Sequence, residues 1–501
     1  MTANLVPHFI DGAAAAPAGE PVATVSNPAT GEALALVAEA TEAELDRAIA
    51  AAEAAFAAWS QTSLAKRAAV LFRFRELVAA AAGPLAATIS REQGKVASDA
   101  KGEVARGLEV VEYACGVPEL LKGEFSGQVA TGVDVTSWRE PLGLAAGITP
   151  FNFPVMVPLW MAPLAIATGN AFILKPSPQD PSASLELARL WTEAGLPPGV
   201  FQVLQGGPRS VDRLLGDRAV RAVSFVGSTP VARRIHAAAT LAGKRVQALG
   251  GAKNHAVVLR DADAEFAAAS VVSAAFGAAG QRCMALSVVL VEQAVADDFV
   301  ARVVARAKAV KVAPGHDPAA DMGPVISAAA RDRVERVVTE ALHDGARAAL
   351  DGRGFRPAGF EGGFFTGPTV LDGVTTAMAA YQEEIFGPVL AVVRVADLAE
   401  AIRLVNANPF GNGAVVFTAS GAAARAFKRG VAVGMIGVNV PIPVPVAYHS
   451  FGGWKDSLMG DFHIYGPEGV AFYTQAKVAS ERWPAPAETP AASFNFAAGS
   501  R

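Results

Sequence analysis

Residues 143–178 read GLAAGITPFNFPVMVPLWMAPLAIATGNAFILKPSP, and the architecture of the chain follows from this segment. It is almost free of charge between Leu142 and Leu174, yet several prolines and a Gly-Asn pair interrupt it. A helix that crosses a membrane needs roughly 20 uninterrupted apolar residues. The segment is therefore interpreted as a buried strand, a buried helix and a second buried strand, and not as a membrane span.

The same alternation of short apolar runs and helical segments continues to Gly251. Helices fit at about 155–168, 183–195, 209–216 and 230–241. The candidate strands are LAAGITP (144–150), AFILKPS (171–177), VFQVLQG (200–206), AVSFVGS (222–228) and RVQALGG (245–251). This alternation predicts an α/β fold with a parallel sheet that is covered on both faces. Such sheets bind ligands at the carboxyl ends of their strands, so chemistry is expected in the turns that follow these strands.

Outside this region the pattern changes. Residues 43–122 carry apolar positions at helical spacing and are predicted to form helices. Residues 127–143 alternate like an exposed hairpin, and an exposed strand edge often pairs with another chain. A second α/β domain is predicted from residue 252 to about residue 440. The Pro/Ala-rich tail from Pro484 is expected to be loose.

Length and composition exclude several classes of protein. The chain has 501 residues, so two or three domains are expected. Hydrophobic residues make up 52% and charged residues 18%, which is typical of a globular enzyme and not of a disordered chain. Because the net charge is -4 and no long basic run is present, nucleic acid and anionic membranes are poor candidate partners.

The cysteine and histidine content indicates a reducing compartment and no metal. Two cysteines cannot make a secreted disulfide scaffold. The start of the chain shows no signal peptide, so a cytoplasmic location is expected. The seven histidines form no HExxH motif, and no cysteine pair has the spacing of zinc ligands.

The strongest local signal is Gly-Gln-Arg-Cys at residues 280–283. A nearby cation and exposed backbone amides lower the pKa of a thiol and make it a nucleophile. Cys283, next to Arg282, is therefore a candidate nucleophile. Cysteine is more often a buried structural residue, and that interpretation is kept for Cys115 on its helical pattern.

Cys283 does not stand alone, because other turns carry suitable groups. Asn152 lies in a turn between two aromatics, where its amide could hold a developing oxyanion. Lys175 ends the second strand, where it can reach a ribose or a phosphate. Residues 227–230, Gly-Ser-Thr-Pro, open a helix, and a helix N-terminus suits pyrophosphate. Leu-Gly-Gly at 249–251 and Glu-Glu-Ile-Phe-Gly-Pro-Val at 383–389 complete the set.

In this order, these segments resemble the NAD(P)-dependent aldehyde dehydrogenase superfamily over nearly the whole chain. Within it, the chain is most similar to CoA-acylating methylmalonate-semialdehyde dehydrogenases. That likeness rests on long segments, which are PFNFPVMVPLWMAPLAIATGN, SFVGSTPVARRI, GKRVQALGGAKNH, GQRCMALS and YGPEGVAFYTQAKVASERW.

The resemblance implies a role for each matching residue. Cys283 would be the nucleophile, and Asn152 with the Cys283 backbone amide would form the oxyanion hole. NAD would be held by Lys175 at the adenosine ribose, Ser228 at the pyrophosphate and Glu384 at the nicotinamide ribose. The other implied cofactor-binding positions are Thr149, Phe151, Pro178, Gln179, Gly227, Gly250 and Phe386.

The resemblance also implies an aldehyde dehydrogenase-like architecture. A Rossmann-type dinucleotide-binding domain would comprise residues 1–126 and 144–251, and a catalytic domain with the nucleophilic cysteine residues 252–440. Residues 127–143 and 441–501 would form an oligomerisation hairpin and a C-terminal segment. A homodimer or homotetramer is the expected assembly.

One departure from the superfamily pattern affects the chemistry. Hydrolytic members carry glutamate before Leu-Gly-Gly, and this glutamate activates the water that cleaves the thioester. The matching residue is Ala248, which cannot act as a general base. The thioester is therefore expected to wait for another nucleophile, and the acylating members use coenzyme A.

Two other features bear on the ligands. The substrate of the acylating members carries a carboxylate, which a guanidinium clamps well, and Arg106 and Arg282 are the candidates. A solvated helix face is the alternative for Arg106, and tuning of the thiol alone is the alternative for Arg282. Pro178 stands where the family usually has a glutamate that binds the adenosine ribose, so NADP could be tolerated alongside NAD.

The expected reaction is oxidation of methylmalonate or malonate semialdehyde, loss of carbon dioxide and transfer to coenzyme A, giving propionyl-CoA or acetyl-CoA. A hydrolytic NAD(P)-dependent semialdehyde dehydrogenase that releases the free acid is the main alternative. A non-catalytic dinucleotide-binding protein and a cofactor-independent acyltransferase are two others. A non-catalytic protein leaves the intact Cys283 unexplained. A cofactor-independent acyltransferase leaves the cofactor turns unexplained.

Overall fold

The computed structural model describes residues 4–483. The strands, in chain order, are β1 His8–Ile10, β2 Ala13–Ala15, β3 Pro21–Ser26, β4 Ala33–Ala38, β5 Glu124–Ala130, β6 Val133–Pro141, β7 Leu144–Ile148, β8 Ala171–Lys175, β9 Phe201–Val203, β10 Val220–Val226, β11 Arg245–Leu249, β12 Asn254–Val258, β13 Leu286–Glu292, β14 Arg347–Leu350, β15 Thr369–Asp372, β16 Val389–Val395, β17 Phe410–Gly411, β18 Gly413–Phe417, β19 Met435–Val438, β20 Trp454–Lys455, β21 Leu458–Met459 and β22 Thr474–Arg482.

The α-helices, in chain order, are α1 Glu42–Trp59, α2 Leu64–Ala80, α3 Ala82–Glu92, α4 Ala97–Cys115, α5 Val117–Leu120, α6 Met156–Ala167, α7 Ser182–Glu193, α8 Pro208–Gly216, α9 Thr229–Leu241, α10 Ala264–Phe276, α11 Ala296–Ala309, α12 Ala328–His343, α13 Ala379–Gln382, α14 Leu398–Ala407, α15 Gly421–Gly430 and α16 Gly466–Phe472.

The first sheet has the strand order β2-β1-β9-β8-β7-β10-β11-β21. Its five central strands run parallel, whereas β1 and β21 pair antiparallel with β9 and β11. Every residue of β7 and β8 is buried, as expected for strands covered on both faces. The five strands and four helices predicted for residues 143–251 are all present, which confirms the α/β class.

Helix α6 is the buried helix predicted from the uncharged segment. All of its residues, Met156–Ala167, are buried, because a helix that is apolar on all sides has no face suited to water. Helices α2 and α4, from the helical region before the sheet, pack against it. Within residues 4–483, no helix has both the length and the apolar character that crossing a membrane requires.

The second sheet has the strand order β14-β15-β16-β13-β12-β18-β19. All its strands run parallel except β14. Residues 250–253 join β11 of the first sheet to β12 of the second, so the carboxyl end of β11 lies where the two sheets meet. The loop that carries Cys283 lies between α10 and β13 of this second unit.

A separate three-stranded sheet has the order β22-β6-β5. Strands β5 and β6 are the predicted hairpin, and β22 pairs antiparallel with β6 along its full length. The sequence did not predict β22, because most of its residues are exposed and it shows no regular alternation. Strands β1 to β4 were also missed. The tail from Pro484 lies outside the described residues.

Candidate active site

Asn152 lies in the turn between β7 and α6, at the carboxyl end of the first sheet. Its side chain is buried, and its Nδ2 donates to the Gln281 carbonyl at 3.0 Å. The amide therefore faces the loop that carries Cys283, although the two residues are far apart in the sequence. A preorganised donor at this place can stabilise charge that develops on a substrate oxygen.

The loop before Cys283 has an unusual backbone. Ala278, Ala279 and Gly280 have φ values of 50°, 51° and 71°, so three consecutive residues are left-handed. A side chain at Gly280 would meet the Gly387 carbonyl, since a Cβ there would lie 2.2 Å from that oxygen. The glycine of Gly-Gln-Arg-Cys is thus required both for its backbone conformation and for the close approach of another loop.

Two asparagines hold the backbone of Cys283. Asn254 at the start of β12 and Asn412 before β18 both donate to the Cys283 carbonyl, at 2.8 and 3.1 Å. The Gln281 side chain accepts from the Ile326 amide at 3.1 Å. These bonds fix the loop against three separate segments of the second unit.

The Cys283 thiol is not acidic in this structure. Burial, together with the nearby Glu384 carboxylate, raises the pKa of the thiol to about 12. The backbone amides of Cys283 and Met284 and the ammonium of Lys95 oppose this rise. Arg282, which the sequence analysis placed beside the thiol as a cation that lowers its pKa, forms an ion pair with Asp99 in the structure.

Glu384 lies between the two units. Its Oε1 accepts from the Ala252 amide at 3.0 Å, in the short connection after β11. Lys253, in the same connection, binds the segment that carries Glu384. Its Nζ donates to the carbonyls of Ala380 and Glu383 at 2.8 and 2.6 Å. Burial raises the pKa of the Glu384 carboxyl to about 7.

The groups expected at the adenosine end also meet. Lys175 is buried at the end of β8 and donates to the Gly206 carbonyl at 3.2 Å, and burial lowers its pKa to about 8. Ser228 precedes α9, and its side chain makes no capping bond to the start of the helix. The buried Thr149 hydroxyl has no hydrogen-bond partner among the described residues. An unpaired donor, a helix N-terminus and a lysine fit a dinucleotide.

Two adjoining cavities bring the predicted residues together. One has a volume of about 260 Å³ and contains Cys283 and Asn152 together with Gln179, Gly227, Ser228, Gly250, Glu384 and Phe386. The other, of about 410 Å³, is lined by Thr149, Lys175 and Pro178 among others. Phe151, Gly227 and Ser228 belong to both. Phe151 also packs edge-on against Phe386, with the ring centroids 5.8 Å apart.

The two arginines proposed for a substrate carboxylate line neither of these cavities. Arg106 on α4 donates to Glu109 at 2.6 Å and to the Pro445 carbonyl at 2.8 Å. The Tyr465 hydroxyl donates to that same carbonyl at 2.9 Å. Arg282 does share a small cavity with Cys283 and Glu384.

Ala248 is fully buried in the first sheet, where its methyl group belongs to the apolar core. No carboxylate is present at this position. Among the described residues, Glu384 is the one carboxylate that lines either of the cavities that contain Cys283.

Several residues that shape the site were missed by the sequence analysis. Lys95, Glu103, Asn254 and Asn412 contact the turn of Asn152 or the carbonyl of Cys283 across many intervening residues. No local pattern marks them, because their partners are distant in the sequence.

Known proteins resemble this chain over almost its full length. The model of the aldehyde dehydrogenase family matches residues 15–479. A malonate-semialdehyde dehydrogenase of Pseudomonas aeruginosa is 53% identical and covers 98% of each chain. The acylating, mitochondrial methylmalonate-semialdehyde dehydrogenase of Arabidopsis thaliana is 48% identical, covering 95% of this chain and 79% of that protein.

Solved structures give the same result. The crystal structure of methylmalonate-semialdehyde dehydrogenase from Oceanimonas doudoroffii superposes with a TM-score of 0.95 at 50% identity and covers 96% of this chain and 99% of that one. A Sinorhizobium meliloti structure, described as that of a methylmalonate-semialdehyde dehydrogenase complexed with NAD, has a TM-score of 0.96 at 44% identity and covers 97% and 99%.

Proposed function

The chain belongs to the aldehyde dehydrogenase family, and from this we propose that it oxidises malonate or methylmalonate semialdehyde with NAD and passes the acyl group to coenzyme A. The names of its relatives support the semialdehyde as substrate. The observation that carries the acylating step is Ala248, which leaves the thioester without the usual base for water.

The first step takes place at Cys283. Its thiol loses its proton to solvent, and the thiolate Sγ adds to the aldehyde carbon. The Asn152 amide with the Cys283 backbone amide holds the charge on the oxygen. The location of Asn152 and Cys283 in one cavity supports this pairing. Glu384 and Phe386 would hold the nicotinamide end of NAD, which, when bound, would accept the hydride from the tetrahedral adduct. Collapse of the tetrahedral adduct leaves an acyl thioester on Cys283.

The second step releases the acyl group. A carboxylate β to the thioester carbonyl can leave as carbon dioxide, and the carbanion that remains is protonated. The coenzyme A thiolate then attacks the thioester carbonyl, the bond to Cys283 Sγ breaks, and propionyl-CoA or acetyl-CoA is formed. The absence of a carboxylate at residue 248 supports coenzyme A as the acyl acceptor, because water is not activated there.

The substrate carboxylate requires a cation, and we assign Arg106 and Arg282 to it. Both guanidiniums now pair with carboxylates or carbonyls, Arg282 with Asp99 and Arg106 with Glu109. Binding of a substrate would exchange these partners. Tyr465 supports a location of Arg106 near Cys283. The charges of both Arg106 and Cys283 act on the pKa of the Tyr465 phenol, so both groups are near it.

NAD is the proposed cofactor, and NADP is a second possibility because Pro178 removes a carboxylate from the adenosine end. Lys175 and Thr149 line that end of the cavity. We further propose a cytoplasmic homodimer or homotetramer that assembles through the sheet of β22, β6 and β5. Exposed apolar side chains on that sheet support such an assembly, among them Phe125 and Val478.

The deciding experiment measures NADH formation from malonate and methylmalonate semialdehyde, with and without coenzyme A. Sustained turnover is expected only with coenzyme A, and mass spectrometry should identify acetyl-CoA or propionyl-CoA. Cys283→Ser should abolish turnover, whereas the matched variant Cys115→Ala should retain it, because Cys115 is buried in α4.

Equal turnover without coenzyme A, with a free acid as product, would contradict the acylating reaction. Glu384 would then be the candidate base, since it is the carboxylate in the cavity of Cys283. If neither semialdehyde yields NADH under any of these conditions, the proposed substrate class is wrong.

A further inference from the structure

Lys95 is a buried lysine that the mechanism above does not use. It lies in the connection between α3 and α4, and its side chain is only 1% exposed. A buried ammonium is costly unless it is paired and hydrogen-bonded, so its partners indicate what it does.

The partners of Lys95 belong to the oxyanion-hole turn. Its Nζ donates to the Asn152 carbonyl at 2.5 Å and to Glu103 Oε2 at 2.5 Å. The same Nζ lies 3.9 Å from the centroid of the Phe153 ring, the distance of a cation–π contact. One ammonium thus contacts two successive residues of the turn.

Glu103 holds the other side of the same turn. Its Oε1 accepts from the backbone amides of Val155 and Met156 at 2.8 and 3.1 Å, where α6 begins. The Lys95–Glu103 pair therefore fixes residues 152–156 from both ends. Because Asn152 Nδ2 must point at a substrate oxygen, the position of this backbone sets the position of the donor.

The charge of Lys95 also reaches the nucleophile. Its ammonium lowers the pKa of the Cys283 thiol, whereas Glu384 raises it. Asp180 is also near Lys95, and burial raises the pKa of its carboxyl well above the ordinary value.

We propose that Lys95, with Glu103, is a positioning residue of the reaction: it orients the Asn152 amide and supplies the buried positive charge that favours the Cys283 thiolate. This inference rests on the proposed role of Cys283. A buried ion pair that only stabilises the fold is the alternative, and it would leave the reactivity of the thiol unchanged in folded variants.

The test is the rate of alkylation of Cys283 by iodoacetamide between pH 6 and pH 9, followed by peptide mass spectrometry to separate Cys283 from Cys115. Lys95→Met and Lys95→Gln remove the charge, and Lys95→Gln keeps a donor for Asn152. Lys101→Met is the matched control, because Lys101 is exposed on α4. Circular dichroism and thermal unfolding establish that each variant is folded.

Alkylation of both Lys95 variants is expected to be on the order of tenfold slower than that of the wild type at a given pH, and that of the control unchanged. The fall in kcat with the semialdehyde should match the fall in alkylation for Lys95→Gln and exceed it for Lys95→Met, which also frees the Asn152 carbonyl. If Lys95→Met does not fold, Lys95→Gln alone decides the charge effect.

A wild-type alkylation rate in folded Lys95→Gln would overturn the role of the charge. An equal loss of kcat and alkylation rate in Lys95→Met would overturn the positioning role. Alkylation needs neither semialdehyde nor coenzyme A, so a wrong substrate class would appear only in the turnover assay.

Discussion

At the scale of single residues, the chemistry depends on what surrounds each group. Cys283 and Glu384 share a cavity, and distant segments hold both: asparagine side chains donate to the Cys283 carbonyl, and the Ala252 backbone amide donates to Glu384. Burial raises the pKa of both, to about 12 for the thiol and about 7 for the carboxyl. The free protein therefore holds a thiol and a carboxyl in one cavity that both resist ionisation.

The raised pKa of Glu384 has a consequence for stability. A carboxyl whose pKa is higher in the folded state binds more protons folded than unfolded, so its contribution is present below the unfolded value of 4.5 and is lost as the pH rises through about 7. Glu384→Gln removes this loss. The free energy of unfolding of Glu384→Gln minus that of the wild type should be larger at pH 8 than at pH 5, by on the order of 1–2 kcal/mol.

Urea unfolding of both proteins at the two pH values measures this difference. Glu383→Gln is the matched control, since Glu383 is the exposed neighbour. A difference between Glu384→Gln and the wild type that is the same at pH 5 and pH 8 would show that Glu384 ionises normally in the folded protein.

At the scale of elements, the loop before Cys283 carries backbone strain. Helix α10 ends at Phe276, and the next residues do not continue it, because Ala278 and Ala279 are left-handed. A left-handed conformation costs a residue with a side chain roughly 1–2 kcal/mol, and glycine avoids this cost. The loop keeps this conformation because the bonds around Cys283 and Gln281 hold its far end.

Substitution by glycine tests this strain. Ala279→Gly should change the free energy of unfolding by less than about 1 kcal/mol, since relief of strain offsets the lost methyl group. Ala268→Gly in the middle of α10 is the control, because Ala268 is equally buried but helical. It should destabilise the protein by about 2 kcal/mol through lost helix propensity and packing. Equal losses in the two variants, measured by urea unfolding, would mean that Ala279 is unstrained.

At the scale of the whole molecule, the sheet of β22, β6 and β5 lies apart from the two larger sheets. Val478 of β22 is 63% exposed and Phe125 of β5 is 68% exposed. Exposed apolar side chains on the strands of a small sheet are typical of contacts between chains. This surface is therefore the proposed site of assembly.

Val478→Asp should weaken the assembly, because a carboxylate would have to be buried at the interface without a partner. Sedimentation or light scattering should show a smaller mass than that of the wild type at the same concentration. Val22→Asp is the matched control, since Val22 is exposed on β3 of another sheet. If only the control has a smaller mass, or if both variants have the mass of the wild type, the interface lies elsewhere.

Most of the fold followed from the sequence, as did the expectation that the candidate site residues lie close together. Apolar runs interrupted by turn residues predicted β7, β8 and the buried α6, since local patterns of burial determine the local structure. The carboxyl ends of parallel strands meet at one edge, so Asn152, Lys175 and Ser228 were expected near each other, and the two adjoining cavities contain them.

Other features were decided by the tertiary structure alone. Three sets of contacts join residues that are distant in the sequence. They are Lys95 with Asn152, the two asparagines with the Cys283 carbonyl, and Arg282 with Asp99. The same is true of β22, which is a strand because β6 pairs with it. A local pattern reports which face of an element is buried, but charge, desolvation and strain at a site depend on which distant groups the packed chain places beside it.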